Sequence, residues 1–238
     1  MTEIEIRSVL AGRIDAIRRR ISAACVSSGR SETDVTLVAV TKTVSPRVAA
    51  MTCDLGLVDL GENRPQSLWS KADAMQSLPI RWHMIGHLQR TKVDQTIRVS
   101  HLIHAVDSLR LLHAIAAAGA NAGVRPKILF QINVSREEQK HGFAVDDLVS
   151  LESEAVGSHV ELVGLMGMAA ISENAEDSRP AFRALRELRD KLRVQWPTLG
   201  PNLKTLSMGM SGDFEIAIEE GATIVRVGTA LFEGLEEV

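Results

Sequence analysis

Short apolar runs and amphipathic stretches alternate along almost the whole chain. Runs rich in Val, Ile, Leu and Thr at 36–42, 58–62, 81–86, 102–106, 127–133, 161–166, 204–208 and 223–227 predict eight strands. Segments able to form helices lie between them, at 46–55, 65–77, 89–98, 108–121, 144–156, 178–194 and 212–220. The most regular is 178–194, where Phe182, Leu185, Leu188 and Leu192 form one stripe with arginines opposite. A further helix is predicted over 3–28, ahead of the first strand. Thr2 and Glu5 make a capping box there, Leu10, Ile14, Ile17 and Ile21 recur at helical spacing, and Gly29 supplies the stop. Continuously apolar strands alternating with helices imply a parallel sheet covered on both faces. Eight such units in 238 residues fit an α/β fold closed into a (β/α)8 TIM barrel with an extra N-terminal helix, one domain over 1–238. An open doubly wound sheet is the alternative.

The first strand runs Leu37-Val38-Ala39-Val40-Thr41-Lys42 before Ser45-Pro46 ends it. Alternation puts Val38, Val40 and Lys42 on one face, so the ammonium is expected in apolar surroundings. Desolvation lowers the pKa of such an amine and makes it a nucleophile suited to a Schiff base with an aldehyde or ketone. The plainer alternative is a strand-end lysine that snorkels to water.

Barrel sites lie at the C-terminal strand ends. Those ends carry Lys42, Glu62-Asn63-Arg64, His87, Asp107, Asn133, Met166, Ser207 to Ser211, and Arg226 to Thr229. The last two groups are the most specific. Ser207-Met208-Gly209-Met210-Ser211-Gly212 leads into a helix for which Ser211 is an expected N-cap, and Gly228-Thr229 follows the eighth strand. Phosphate sites in barrels are often built from these two loops, with free amides at a helix start. Asp213 opposes an anion there unless its carboxylate turns away. Arg226 shares a face with Ile224 and Gly228; it requires either a salt bridge to Glu62 or Asp107, or a ligand with an acceptor atom.

Composition narrows the function classes. A formal charge of −3, from 27 basic and 30 acidic residues, gives no electrostatic case for nucleic acid or a membrane surface. No apolar run approaches membrane-spanning length, the N-terminus does not read as a secretory signal, and the two cysteines suggest a reduced, cytoplasmic protein. His83 and His87 are four apart in a strand-like run and have no evident third ligand, so a metal site is not expected. Walker, GxGxxG and GxSxG motifs are absent.

A nucleophilic lysine on strand one and a phosphate cradle after strands seven and eight describe a site for pyridoxal 5′-phosphate (PLP). The chain resembles the PLP homeostasis proteins, relatives of the alanine racemase N-terminal domain. The resemblance rests on Val38-Ala39-Val40-Thr41-Lys42, Leu60-Gly61-Glu62-Asn63-Arg64, Trp82 through Gln89, Gln131-Ile132-Asn133-Val134-Ser135, Gly164-Leu165-Met166, Leu206 through Ser211, and Arg226-Val227-Gly228-Thr229. It implies that Lys42 is the Schiff-base lysine and that Ser207, Ser211, Gly228 and Thr229 surround the phosphate. It further implies that Arg226 faces the pyridine nitrogen, and that Asn63, His87 and Met166 line the cofactor. Arg90-Thr91 and Ser67 depart from the family pattern beyond the strand ends.

An arginine at the ring nitrogen only donates, so it favours the unprotonated ring and weakens PLP as an electron sink. Racemases of similar fold add a tyrosine base, and this chain has no tyrosine. His87 or Cys53 could substitute, though neither has a partner visible in the sequence. The expectation is therefore a monomeric carrier or buffer of PLP that serves apo PLP-dependent enzymes and lacks robust catalysis. The alternatives are a slow amino-acid racemase and an aldolase-like barrel using Lys42 on sugar phosphates.

Overall fold

A computed structural model describes residues 1–134, 142–145, 148, 151–170 and 172–235. The strands are β1 (Thr36–Val40), β2 (Asp59–Glu62), β3 (Arg81–Met84), β4 (Ser100–Val106), β5 (Lys127–Gln131), β6 (Glu161–Met166), β7 (Thr205–Ser207) and β8 (Ile224–Val227). They pair in parallel and in sequence order, and β8 returns to β1 through Val38 opposite Arg226, so the sheet is a closed barrel and not an open one.

The helices are α1 (Glu3–Ser27), α2 (Pro46–Asp54), α3 (Pro65–Ala74), α4 (Val93–Val99), α5 (Leu109–Ala122), α6 (Leu151–Ala155), α7 (Arg179–Gln195), α8 (Phe214–Glu219) and α9 (Thr229–Phe232). The Thr2–Glu5 capping box starts α1, which buries Ile6, Leu10, Ile14, Ile17 and Ile21 and packs on α8 and α9. Gly29, with φ at 67°, turns the chain out of that helix.

Two differences from the sequence expectation bear on the site. β1, β3 and β5 each end two residues early: one further inter-strand bond follows each, from Thr41, Ile85 and Ile132 N–H, and the chain then enters the loops at the barrel mouth. The single turn of α9 after β8 was not expected, since four residues are too few to show a period. The segment expected as a helix over 89–98 divides into a tight turn at Arg90–Lys92 followed by α4. Of the helix expected at 144–156, residues 146, 147, 149 and 150 lie outside the described residues. The charged loop over 134–143 is also largely outside them.

The main apolar core lies between strands and helices. A smaller cluster of Val38, Leu102, Ala105, Leu129, Met166 and Ile224 sits apart from it inside the barrel. Buried polar side chains, including Asp59, His83, His104, Ser207 and Arg226, share that interior.

Candidate functional site

At the C-terminal strand ends a cavity of about 430 Å³ opens, within the range of small-molecule pockets. Lys42, Asn63, His87, Met166, Ser211, Arg226, Gly228 and Thr229 line it, bringing together eight of the nine residues singled out from the sequence. Among the described residues no Asp or Glu lines the cavity, while Lys42 and Arg226 do, so its charged side chains favour an anion.

Lys42 stands two residues beyond β1 and is exposed at the mouth. The apolar burial expected from strand alternation is therefore not found, because the ladder ends before reaching it. Its backbone is nevertheless held from below. Thr41 N–H donates to Gly61 O at 3.0 Å, and Lys71 Nζ donates to Thr41 O at 2.5 Å. Lys71 is also paired with the fully buried Glu62, Nζ to Oε1 at 2.6 Å, and Thr41 Oγ1 donates to the same oxygen at 2.6 Å. Sequence reading missed Lys71. It falls with Pro65 and Leu68 on the buried side of α3, with buried Met75 just beyond the helix, and a lysine in an apolar stripe was the available signal.

Arg226 does not form the salt bridge weighed for it. Glu62 is engaged by Lys71 on the helix side of the sheet, and Asp107 bonds His87. Arg226 is buried, and Nη1 donates to Ser207 Oγ at 2.6 Å and Nη2 to Gly167 O at 3.3 Å. Burial brings its pKa down to about 10, with Asp213 opposing the shift, so it stays cationic at neutral pH.

Ser207 requires a correction. It does not line the cavity; it is fully buried beneath it, bonded to Arg226 and, at 2.8 Å, to His104 Nδ1. As the last residue of the short β7, its side chain points into the barrel and not to the mouth.

Ser211 is not the N-cap of α8, a position that Asp213 takes. Its hydroxyl instead accepts from Gly228 N–H and Ala230 N–H, both at 3.3 Å, across the start of α9. Asp213 turns away from the cavity, accepting from Met210 N–H at 2.6 Å and from Ser178 Oγ at 3.0 Å. The condition set for an anion at this end is thus met. Gly209, at φ 90°, permits the turn between β7 and α8, where an added Cβ would come within 2.6 Å of Ala217 Cβ.

His87 Nδ1 lies 3.1 Å from Asp107 Oδ2, so this histidine does have a partner. Asp107 also accepts from Ser108 Oγ at 3.1 Å. Cys53 does not line the cavity, and burial pushes its thiol up from its ordinary value, against thiolate formation. β5 contributes Gln131 to the lining and not Asn133, because the strand stops at Gln131. His83 faces the barrel interior and His87 the mouth, and among the described residues no group of three or more metal-ligating side chains converges.

The model of the alanine racemase N-terminal domain family matches residues 14–236. The chain is 41% identical over 221 residues to the pyridoxal phosphate homeostasis protein of Aquifex aeolicus, covering 92% of this chain and 96% of that one. Its fold is similar to a crystal structure of a Bifidobacterium adolescentis protein, with TM-score 0.90, 31% identity and 98% of each chain covered. It is likewise similar to PipY of Synechococcus elongatus with PLP bound, with TM-score 0.82, 30% identity, and 94% and 99% of the two chains covered.

Proposed function

The chain belongs to the alanine racemase N-terminal domain family, and on that premise we propose that it binds pyridoxal 5′-phosphate in the barrel-mouth cavity and acts in PLP homeostasis. Support comes from the relatives bearing that name, from the PLP-bound state of the similar PipY structure, and from the donor set of the cavity. The observation that carries most weight is a cavity with Lys42 and buried Arg226 in its lining and, among the described residues, no carboxylate there.

PLP, when bound, supplies an aldehyde that condenses with a primary amine and a ring that withdraws electrons. Lys42 is the amine at the cavity and supplies the anchor. At the other side, Ser211 has both lone pairs engaged by Gly228 and Ala230 amides, so only its O–H remains, and it donates to phosphate. Thr229 adds a second hydroxyl and Gly228 a bare backbone. Arg226 donates to the ring nitrogen, which keeps that nitrogen unprotonated and the ring a poor electron sink. Ser207 acts beneath Arg226 as its acceptor and not on the phosphate.

The chain thereby holds the cofactor without robust catalysis and serves as a monomeric buffer or carrier for apo PLP-dependent enzymes. A visible absorption band on incubation with PLP, abolished by borohydride with a pyridoxyl group mapped to Lys42, tests the site. Stoichiometric transfer of PLP to an apo-enzyme tests the carrier role, and steady turnover of an amino acid overturns it. The His87–Asp107 pair favours a second reading, slow acid–base chemistry at an amino acid α-carbon. Deuterium exchange lost in both Lys42→Ala and His87→Ala variants would establish that activity.

A further inference from the structure

Four hydrogen bonds cross the barrel interior from the N-terminal end of β2 to the cavity. Asp59 Oδ1 meets His83 Nε2 at 3.0 Å, His83 Nδ1 meets His104 Nε2 at 2.9 Å, His104 Nδ1 meets Ser207 Oγ at 2.8 Å, and Ser207 Oγ meets Arg226 Nη1 at 2.6 Å. His104 lies on β4 and Ser207 on β7, so the chain of bonds passes through the barrel and not along neighbouring strands. All five side chains are buried. At its outer end Asp59 is gripped by both Nε and Nη2 of Arg81, which is half exposed.

The polarity of this chain follows from which atoms can donate. Ionised Asp59 only accepts, so His83 Nε2 donates to it. With His83 neutral, its one N–H is spent on Asp59, so Nδ1 accepts from His104 Nε2, and His104 Nδ1 in turn accepts from the Ser207 hydroxyl. Ser207 then has lone pairs free for Arg226. Burial, reinforced by the neighbouring Arg226 cation, holds His104 well below its ordinary value, in keeping with the neutral form.

We propose that Asp59, His83 and His104 are positioning residues for Arg226: they fix the Ser207 hydroxyl as an acceptor, and so hold the guanidinium donor against the cofactor ring. This rests on the cavity being the PLP site. Every bond dipole in the chain presents its negative end toward Arg226, which compensates a buried cation that has no carboxylate partner among the described residues. With His83 doubly protonated the chain reverses, Ser207 receives two donors, and its own proton must leave the line.

The first test is ¹⁵N NMR of histidine in the ligand-free protein at neutral pH. His83 and His104 are expected as neutral Nε2–H tautomers. An Nδ1–H His104 or a doubly protonated His83 overturns the proposal without any variant. Asp59→Leu is expected to flip both tautomers, whereas Asp59→Asn, which retains an acceptor oxygen, keeps them. With PLP, Asp59→Leu and Ser207→Ala are expected to shift the bound-cofactor absorption maximum and to raise Kd roughly tenfold or more, the scale of one charge-assisted hydrogen bond lost. Asp59→Asn should restore both readouts. An unchanged spectrum and Kd in Asp59→Leu and Ser207→Ala also overturn the proposal. Failure of the parent protein to take up PLP refutes the cavity assignment instead, leaving the tautomers to report on the relay.

Discussion

Replacing Lys71 by methionine tests how the loop carrying Lys42 is held. In the parent, Lys71 Nζ donates to Thr41 O and to Glu62 Oε1, and Glu62 is fully buried with Oε2 lacking a hydrogen-bond partner among the described residues. The substitution removes a donor from the Thr41 carbonyl and leaves Glu62 with Thr41 Oγ1 as its remaining partner. Breaking a buried ion pair from one side costs about 3–5 kcal/mol, because a desolvated charge is left uncompensated. At roughly 2–4 °C per kcal/mol for a chain of this size, Tm should fall by about 6–20 °C. Thermal unfolding followed by circular dichroism gives the shift, and urea midpoints check it. The double variant Lys71→Met with Glu62→Leu removes both charges and should recover much of the loss. A single variant within about 2 °C of the parent, or a double variant as unstable as the two singles summed, would refute the ion-pair account. If the pair also orients the Lys42 loop, PLP incorporation at Lys42 should drop in Lys71→Met even below its melting range.

Burial alone would raise the Asp59 pKa, but hydrogen bonds from Arg81 and His83 outweigh it and hold it at about 2. A depressed carboxylate contributes stability above its unfolded value, near 3.8, that is lost as pH falls toward 2; unfolding midpoints should show about 2 kcal/mol disappearing there, and less in Asp59→Asn. His104, also depressed, favours the unfolded state once the unfolded imidazole protonates, so stability should begin to fall below pH 6.5, and His104→Gln should flatten that limb. Ser211→Ala should weaken PLP by roughly tenfold while leaving pyridoxal, which has no phosphate, nearly unaffected, as equilibrium dialysis of the two would show. Gly86→Ala places a Cβ 2.2 Å from Asn63 O, and the forced backbone shift should lower Tm and loosen PLP together; an unchanged Tm would rule out the close approach.

Much of this architecture was legible from local pattern. The stripe Leu10, Ile14, Ile17 and Ile21, with its capping box and Gly29 stop, specified α1, because helical period and end chemistry are properties of neighbouring residues. Eight apolar runs separated by helical segments specified the alternating units, and alternation along β8 placed Arg226 on the inner face. Tertiary structure decided what depends on residues distant in sequence. Whether the sheet closed was settled by β8 meeting β1, a pairing of strands that local period does not encode. Lys71, 29 positions from Lys42, braces its loop only once α3 packs on β2 and its ammonium reaches Thr41 O. Ser207 ends β7 and Ser211 lies four residues on, yet one turns down to Arg226 and the other crosses to the amides of α9. Which way each turned followed from burial and from the donors and acceptors that folding brought near, and neither quantity exists until the barrel is closed.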